Sequence, residues 1–284
     1  MKISVITINR NNRSGLQATI ESVGMQSLPP YEFIVIDGAS NDGSAALLDR
    51  YASIISFGVS EEDDGIYHAM NKGAGVAQGD YCIFMNAGDV FAGKDVLRKV
   101  AARDENADII VGNAIILSTP PRKKTPPSEV TMRFLYASSF CHQAVFIRTE
   151  LLARYPYDAS LKYVADRKFF FEALILANAS YTAVDVDVVN YDVKGISASH
   201  RFASEKEWQD VLSRLLPDRV LMDYGREQHG PLYGDGQYEK LMLETGRRKY
   251  RKYAYKLVYV FLWSLSLFRD SAKYVRFYSF KNNI

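Results

Sequence analysis

The chain is poor in the features that would place it in a special class. It has two cysteines, Cys82 and Cys141, both inside apolar runs. That excludes a disulfide framework and reads as reduced core thiols of a cytosolic protein. No internal repeat occurs, which excludes a repeat architecture. There is no P-loop, no Ser-His-Asp pattern and no His/Cys cluster at metal-ligand spacing. The first residues, MKISVITI, run straight into a strand-like segment, so no secretory signal peptide is expected. Residues 257–268 are uncharged, but as a helix they would reach about 18 Å against a hydrocarbon core of about 30 Å, so a transmembrane reading fails.

What remains is ordinary: 48% hydrophobic and 24% charged residues, enough for a large domain with ample core. The net charge of +2 conceals an asymmetry. From residue 247 onward there are ten Lys/Arg and one Asp, a balance of +9, which leaves −7 for residues 1–246. An anionic partner is therefore expected for the tail alone.

Apolar, β-branched KISVITI reads as a buried first strand, followed by a helix capped at Ser14. YEFIVID is a second strand, AALLDRYA a short helix and IISFGVS a weaker third strand. IYHAMNKGAGVA has helical spacing, YCIFMNA is a fourth strand, DVLRKVAAR the helix after Asp89, and ADIIVGNAIIL a fifth strand or strand pair. This alternation argues for a doubly wound, mostly parallel α/β sheet. TPPRKKTPPSE breaks the pattern and reads as a surface loop. Beyond it come CHQAVFIR as a strand, VADRKFFFEALILANA as a helix, SYTAVDVDVVNYDV as an alternating strand, and helix from Phe202. The expected divisions are a first half at 1–115, a smaller second half of the same domain at 116–200, and a helical C-terminal region at 201–284.

Residues 34–89 organise the rest. Two apolar strands there, FIVID and CIFMNAGD, each stop at a carboxylate, Asp37 and Asp89. In open α/β sheets that C-terminal edge is where ligands bind. Each carboxylate also has a plainer reading, Asp37 as a turn residue and Asp89 as the cap of the following helix.

The blocks ITINRN, VIDGASNDGS, SEEDDGIYHAMNKGAGVAQGDYCIFMNAGD and CHQAVF…YDASLKYVADRKFF, in that order, resemble bacterial family 2 glycosyltransferases of the GT-A fold. The similarity spans roughly residues 1–195 and is strongest to members that build exopolysaccharide, O-antigen and colanic-acid-type units. It implies transfer of a sugar from a nucleoside diphosphate sugar, of UDP or GDP type, with inversion at the anomeric carbon. Thr7 and Asp37 then match the nucleotide wall. Asp64, Asn71 and Lys72 match the segment beside base and diphosphate, where an ammonium suits a phosphate oxygen. Asp89 matches the last acid of the metal motif for Mg²⁺ or Mn²⁺, with Asn86 orienting it and Gly88 admitting the phosphates. Gly88 stands where many relatives carry a first Asp, leaving one carboxylate instead of two. Asp166 matches the catalytic base, its alternative being a simple helix cap. His142 lines the acceptor or phosphate side or belongs to the core, and His68 is read as a helix residue. The QxxRW sequence of processive members is missing, which implies one sugar per acceptor.

The basic, aromatic tail over residues 247–281 fits a helix lying on an anionic membrane surface, or else a hairpin docked on the domain or a second subunit. Beside the resemblance, this tail points to a lipid-linked saccharide acceptor and a peripheral position on the inner face of a bacterial membrane, and the acidic body argues against nucleic acid. A homo-oligomer stays open. Two other classes compete: a non-catalytic sugar-nucleotide-binding partner or regulatory subunit, suggested by the missing first acid, and a nucleotidyltransferase, whose Gly-rich basic loop is not seen in NRNNRSG.

Overall fold

The computed structural model of the chain describes residues 1–117, 120–191 and 200–229. Strand β1 (Ile3–Asn9) is buried at all seven positions, as a continuous apolar run must be when both faces of a parallel sheet are covered. Strands β2 (Glu32–Asp37) and β4 (Tyr81–Phe84) flank it in parallel, and β3 (Phe57–Ser60) lies outside β2. Helices α1 (Arg13–Gly24), α2 (Ala45–Arg50) and α3 (Ile66–Val76) connect these strands. The register sets Asn9 opposite Asp37 and Asp37 opposite Ser60, so three polar residues end side by side at one sheet edge.

Two local details depart from expectation or explain it. Helix α1 is capped by Asn12, whose side chain accepts from the Gly15 N–H, rather than by Ser14. Gly73, a weak point in the helical pattern, is needed: a Cβ there would collide with Ile6 of β1. The glycine lets α3 lie close on the sheet.

Beyond β4 the sheet is mixed. Strand β8 (Val145–Arg148) inserts antiparallel between β4 and β6 (Ile109–Ile116), so the fifth apolar run does not adjoin the fourth. Strand β9 (Tyr181–Tyr191) runs parallel to β6, with β5 (Val90–Phe91) antiparallel on its far side. Because residues 90–91 form that short strand, helix α4 (Val96–Ala101) starts only after Asp95, and Asp89 is not its cap. The proline-rich stretch expected as a loop contains an edge strand, β7 (Arg122–Lys124), paired with β6. Lys123 anchors it, 2.7 and 3.2 Å from Asp187 and Asp185. An edge position leaves room for the flanking prolines, whose missing N–H is not needed there.

Helices α5 (Met132–Ala137), α6 (Thr149–Arg154), α7 (Ala165–Phe171) and α8 (Arg201–Leu215) complete a compact unit, Met1–Pro217. Helix α7 continues through five residues of wider turns, Glu172–Leu176. Its phenylalanines are fully buried: Phe170 meets Phe140 edge-on, and Phe171 meets Trp208 of α8. Helix α9 (Asp218–His229) belongs to a second unit. The tail over 247–281 lies outside the described residues. Among the described residues, no helix is long and apolar enough to cross a membrane.

Candidate active site

Most of the sequence-predicted residues fall into two clusters at the same sheet edge, with Asp64, Asn71 and Lys72 outside both. The first surrounds Asp37, fully buried at the end of β2. Its Oδ1 accepts from Asn9 Nδ2 and Ser40 Oγ, both at 2.6 Å, and its Oδ2 from the Ser40 N–H at 3.0 Å and Ser60 Oγ at 2.5 Å. Burial alone would raise this carboxyl, but the bonds from Ser40, Ser60 and Asn9 outweigh it and hold Asp37 below the ordinary carboxylate range. Four donors fill the acceptor positions of a carboxylate. Thr7 is equally committed, its hydroxyl donating to the Met85 carbonyl at 2.7 Å and tying β1 to the end of β4.

Asp64 is exposed, its N–H directed at His68 Nδ1. Its neighbour Asp63 is the more enclosed acid, with a side chain 6% exposed, facing Arg10 at 3.9 Å and packed on Gly38. Nothing in the sequence separates these adjacent acids, since only the chain direction after β3 decides which points inward. On α3, Asn71 clasps residue 157: its amide donates to the Tyr157 carbonyl at 2.7 Å and accepts from its N–H at 2.9 Å. Lys72 sits 2.8 Å from Glu61.

The second cluster is a chain of contacts linking Asp89 to Asp166. Gly88, at φ +107°, makes the turn that brings Asp89 back on Asn86, whose N–H donates to Asp89 Oδ2 at 3.0 Å. Asn86 Nδ2 lies 3.2 Å from His142 Nε2, and His142 Nδ1 lies 3.5 Å from Asp166 Oδ2. Tyr67 closes the series, its hydroxyl 3.1 Å from Asp166 Oδ1. Asp166 therefore does more than begin a helix. Tyr67 and Gln143, whose amide faces Asp89 Oδ1 at 3.4 Å, were not anticipated from sequence. Tyr67 falls on the buried stripe of α3 and looks like core until Asp166, 99 residues away, meets its hydroxyl.

The electrostatics of this cluster are coupled. Burial would raise Asp166, yet His142, the Arg167 N–H and the Tyr67 hydroxyl bring it below its usual value. Burial would lower His142, and Asp166 reverses this, so the imidazole is raised. Both shifts favour the charged pair. Asp89 is raised, because burial exceeds the help it receives from His142 and Gln143. Asn86 Oδ1 is buried without a partner. The Nδ1–H tautomer of neutral His142 accepts from Asn86 Nδ2, whereas the protonated ring calls for the amide the other way round, giving Oδ1 a donor.

Among the described residues no group of three His, Cys, Asp or Glu side chains could hold a metal ion. The fit to a divalent cation is through oxygen. Asp89 Oδ1 has only a long contact, and Asn86 Oδ1 stays without a partner as long as its amide donates to neutral His142. Mg²⁺ suits such a sparse protein set, taking one or two carboxylates and completing its shell with phosphate oxygens and water.

Residues 4–166 match the family model described as glycosyl transferase family 2. A glycosyltransferase of PGL/p-HBAD biosynthesis from Mycobacterium bovis (strain BCG / Pasteur 1173P2) is 30% identical over 252 residues, covering 79% of this chain and 98% of that protein. Among solved structures, S. aureus TarS 1-349 in complex with UDP-GlcNAc matches with a TM-score of 0.61 at 22% identity, over 75% of this chain and 64% of that one. The mannosyltransferase PcManGT from Pyrobaculum calidifontis, in complex with GDP-Man and Mn²⁺, matches with a TM-score of 0.54 at 16% identity, over 95% and 88%. These two likenesses are of fold, the GT-A type. The matched stretch contains every residue of both clusters and ends on Asp166 itself, and it takes in more than half of the chain: this protein belongs to glycosyl transferase family 2.

Proposed function

We propose that the protein is an inverting glycosyltransferase that moves one sugar from a nucleoside diphosphate sugar to a saccharide acceptor in bacterial surface polysaccharide synthesis. The observation that carries this reading is the contact series Asp89–Asn86–His142–Asp166, which joins a diphosphate-side acid to a base-side acid. Single displacement needs both ends of one cleft: a place where the leaving diphosphate's charge is countered, and a base for the acceptor hydroxyl.

In this reading Asp166 takes the proton from the attacking hydroxyl. Its lowered pKa suits a base that receives the proton late, once the oxygen has become acidic. Tyr67 and His142 hold the carboxylate from two sides, restricting its orientation. Asp89, with Asn86, would hold Mg²⁺ or Mn²⁺, and a bound cation supplies charge neutralisation for the departing diphosphate. Lys72 would turn from Glu61 to a phosphate oxygen. Asp37, through Ser40 and Ser60, would shape the wall against which the base and ribose lie, with Thr7 behind it and Asp64 at its rim.

The acceptor is proposed to be lipid-linked, because the +9 tail suits an anionic bilayer and would keep the enzyme at the cytoplasmic membrane face. The competing view, a non-catalytic sugar-nucleotide-binding partner, draws on Gly88 in place of a carboxylate. Release of nucleoside diphosphate from a panel of UDP- and GDP-sugars with Mg²⁺ or Mn²⁺ separates the two. Turnover that disappears in Asp166→Asn while donor binding persists supports the enzyme. Turnover unchanged in that variant removes Asp166 as base, and donor binding with no turnover in the wild type favours the partner.

A further inference from the structure

The segment that presents Asp166 is held by a carboxylate from well outside the family-matched residues. Helix α7 has Val164 as its cap residue, and no side chain there bonds to the first turn. The N–H groups before and at this start need acceptors, because helix entry leaves donors without intrahelical partners. Glu207, on α8, supplies them. Its Oε1 accepts from the Lys162 N–H at 2.8 Å, and its Oε2 from the N–H groups of Tyr163 and Val164 at 2.8 and 3.1 Å. Three consecutive backbone donors therefore converge on one carboxylate, two residues before Asp166.

The neighbours of Glu207 grip the same region. Trp208 is fully buried and donates to the Tyr136 carbonyl at 3.0 Å. That carbonyl also accepts from Arg167 at 2.6 Å, and the Arg167 guanidinium lies 4.1 Å from the Trp208 ring centroid. Glu205 adds an ion pair at 3.8 Å. Burial lowers Arg167 to about 10, so it remains charged at neutral pH. At the other end of the loop, Asn71 clasps Tyr157, and Lys168 reaches Asp158 at 3.5 Å. The stretch from 157 to 167 is thus fastened at both ends, once by α3 and once by α8.

We propose that Glu207 is a positioning residue for Asp166: by gathering the N–H groups of residues 162–164 it sets where the first turn of α7 begins, and with it the reach of the carboxylate toward the acceptor hydroxyl. The inference rests on the reading of Asp166 as base. A misplacement of about 1 Å at a reacting group can cost about 100-fold in rate, so the clamp acts on turnover and leaves donor affinity alone.

The test uses the full chain, with UDP-N-acetylglucosamine and GDP-mannose as donor probes and nucleoside diphosphate release as the readout, in wild type, Glu207→Ala, Glu207→Gln and Asp166→Asn. Glu207→Ala is expected to lower kcat about 10- to 100-fold with the donor KM within about twofold. Glu207→Gln, which keeps one acceptor oxygen, should recover part of that loss. Amide hydrogen exchange over 162–164 should rise in Glu207→Ala and less in Glu207→Gln, a readout that survives if turnover is too slow to measure. A kcat within twofold of wild type beside an inactive Asp166→Asn overturns the clamp, as does unchanged exchange at 162–164. A loss that only tracks the fraction of folded protein also overturns it. Turnover retained by Asp166→Asn strikes the base reading instead, whatever Glu207 does.

Discussion

Asp37 and Asp166 are both enclosed carboxylates with lowered pKa values, but the causes differ and so do the consequences. Asp37 is closed in by Asn9, Ser40 and Ser60, neutral donors from the ends of neighbouring strands and the turn after its own. With all its acceptor positions taken, it is an internal brace. Asp166 is held by one hydroxyl, one imidazole and the Arg167 N–H, its side chain 19% exposed, and depends on a partner that can itself change charge. The first arrangement maintains a shape. The second leaves a charged group ready to accept a proton. Burial alone therefore does not distinguish the two carboxylates, and the identity of their donors does.

Substitutions can break or sharpen this contrast. The largest effect is expected for Asp166→Asn, a loss of about 10²–10⁴-fold in turnover with a smaller fall in melting temperature than at Asp37, measured by nucleoside diphosphate release beside thermal unfolding. Asp37→Asn should do the reverse, costing about 2–3 kcal/mol of stability because charge-assisted bonds give way to an amide that opposes two of its donors. The sign follows from the lowered native pKa. The stabilisation is complete above the ordinary value of 3.8 and is lost as pH falls through the native one, so the gap between variant and wild type should narrow in acid. Melting curves from about pH 7 to about pH 3 check this, and a gap that widens in acid would contradict the bracing role.

Two smaller effects lie between the clusters. Asn71→Ala removes both bonds to Tyr157 and should cost about 1–2 kcal/mol, with faster amide exchange near residue 157. If its main effect were on donor KM at unchanged stability, Asn71 would belong to the binding surface. Lys72→Met should leave stability nearly unchanged, since its partner Glu61 has a side chain 53% exposed and such pairs contribute about 0–1 kcal/mol. Its expected effect is a rise in donor KM of roughly 3- to 10-fold, as one phosphate contact is lost. An unaltered KM would return Lys72 to the status of a surface residue.

Much of the first half was legible. β1, β2 and β4 are apolar runs of strand length, and α3 follows the helical spacing of Ile66, Met70 and Ala74, because burial on both sheet faces and on one helix face writes itself into composition and period. The second half was less so. Where β8 inserts is a matter of pairing, and a four-residue apolar run carries no mark of its neighbour. The edge strand at Arg122–Lys124 was hidden because its stability comes from Asp185 and Asp187, about 60 residues later, rather than from its own composition.

By itself the order of residues determined the strand that ends on Asp37, the apolar run of β4 that leads by way of the turn glycine Gly88 to Asp89, and the acid in the first turn of α7, because each depends on neighbours a few positions away. Tertiary structure alone decided which acids are satisfied and which are poised. The donors to Asp166 come from Tyr67 and His142, and the clamp on its segment from Glu207, contacts across roughly 25 to 100 residues that exist only once the chain has closed.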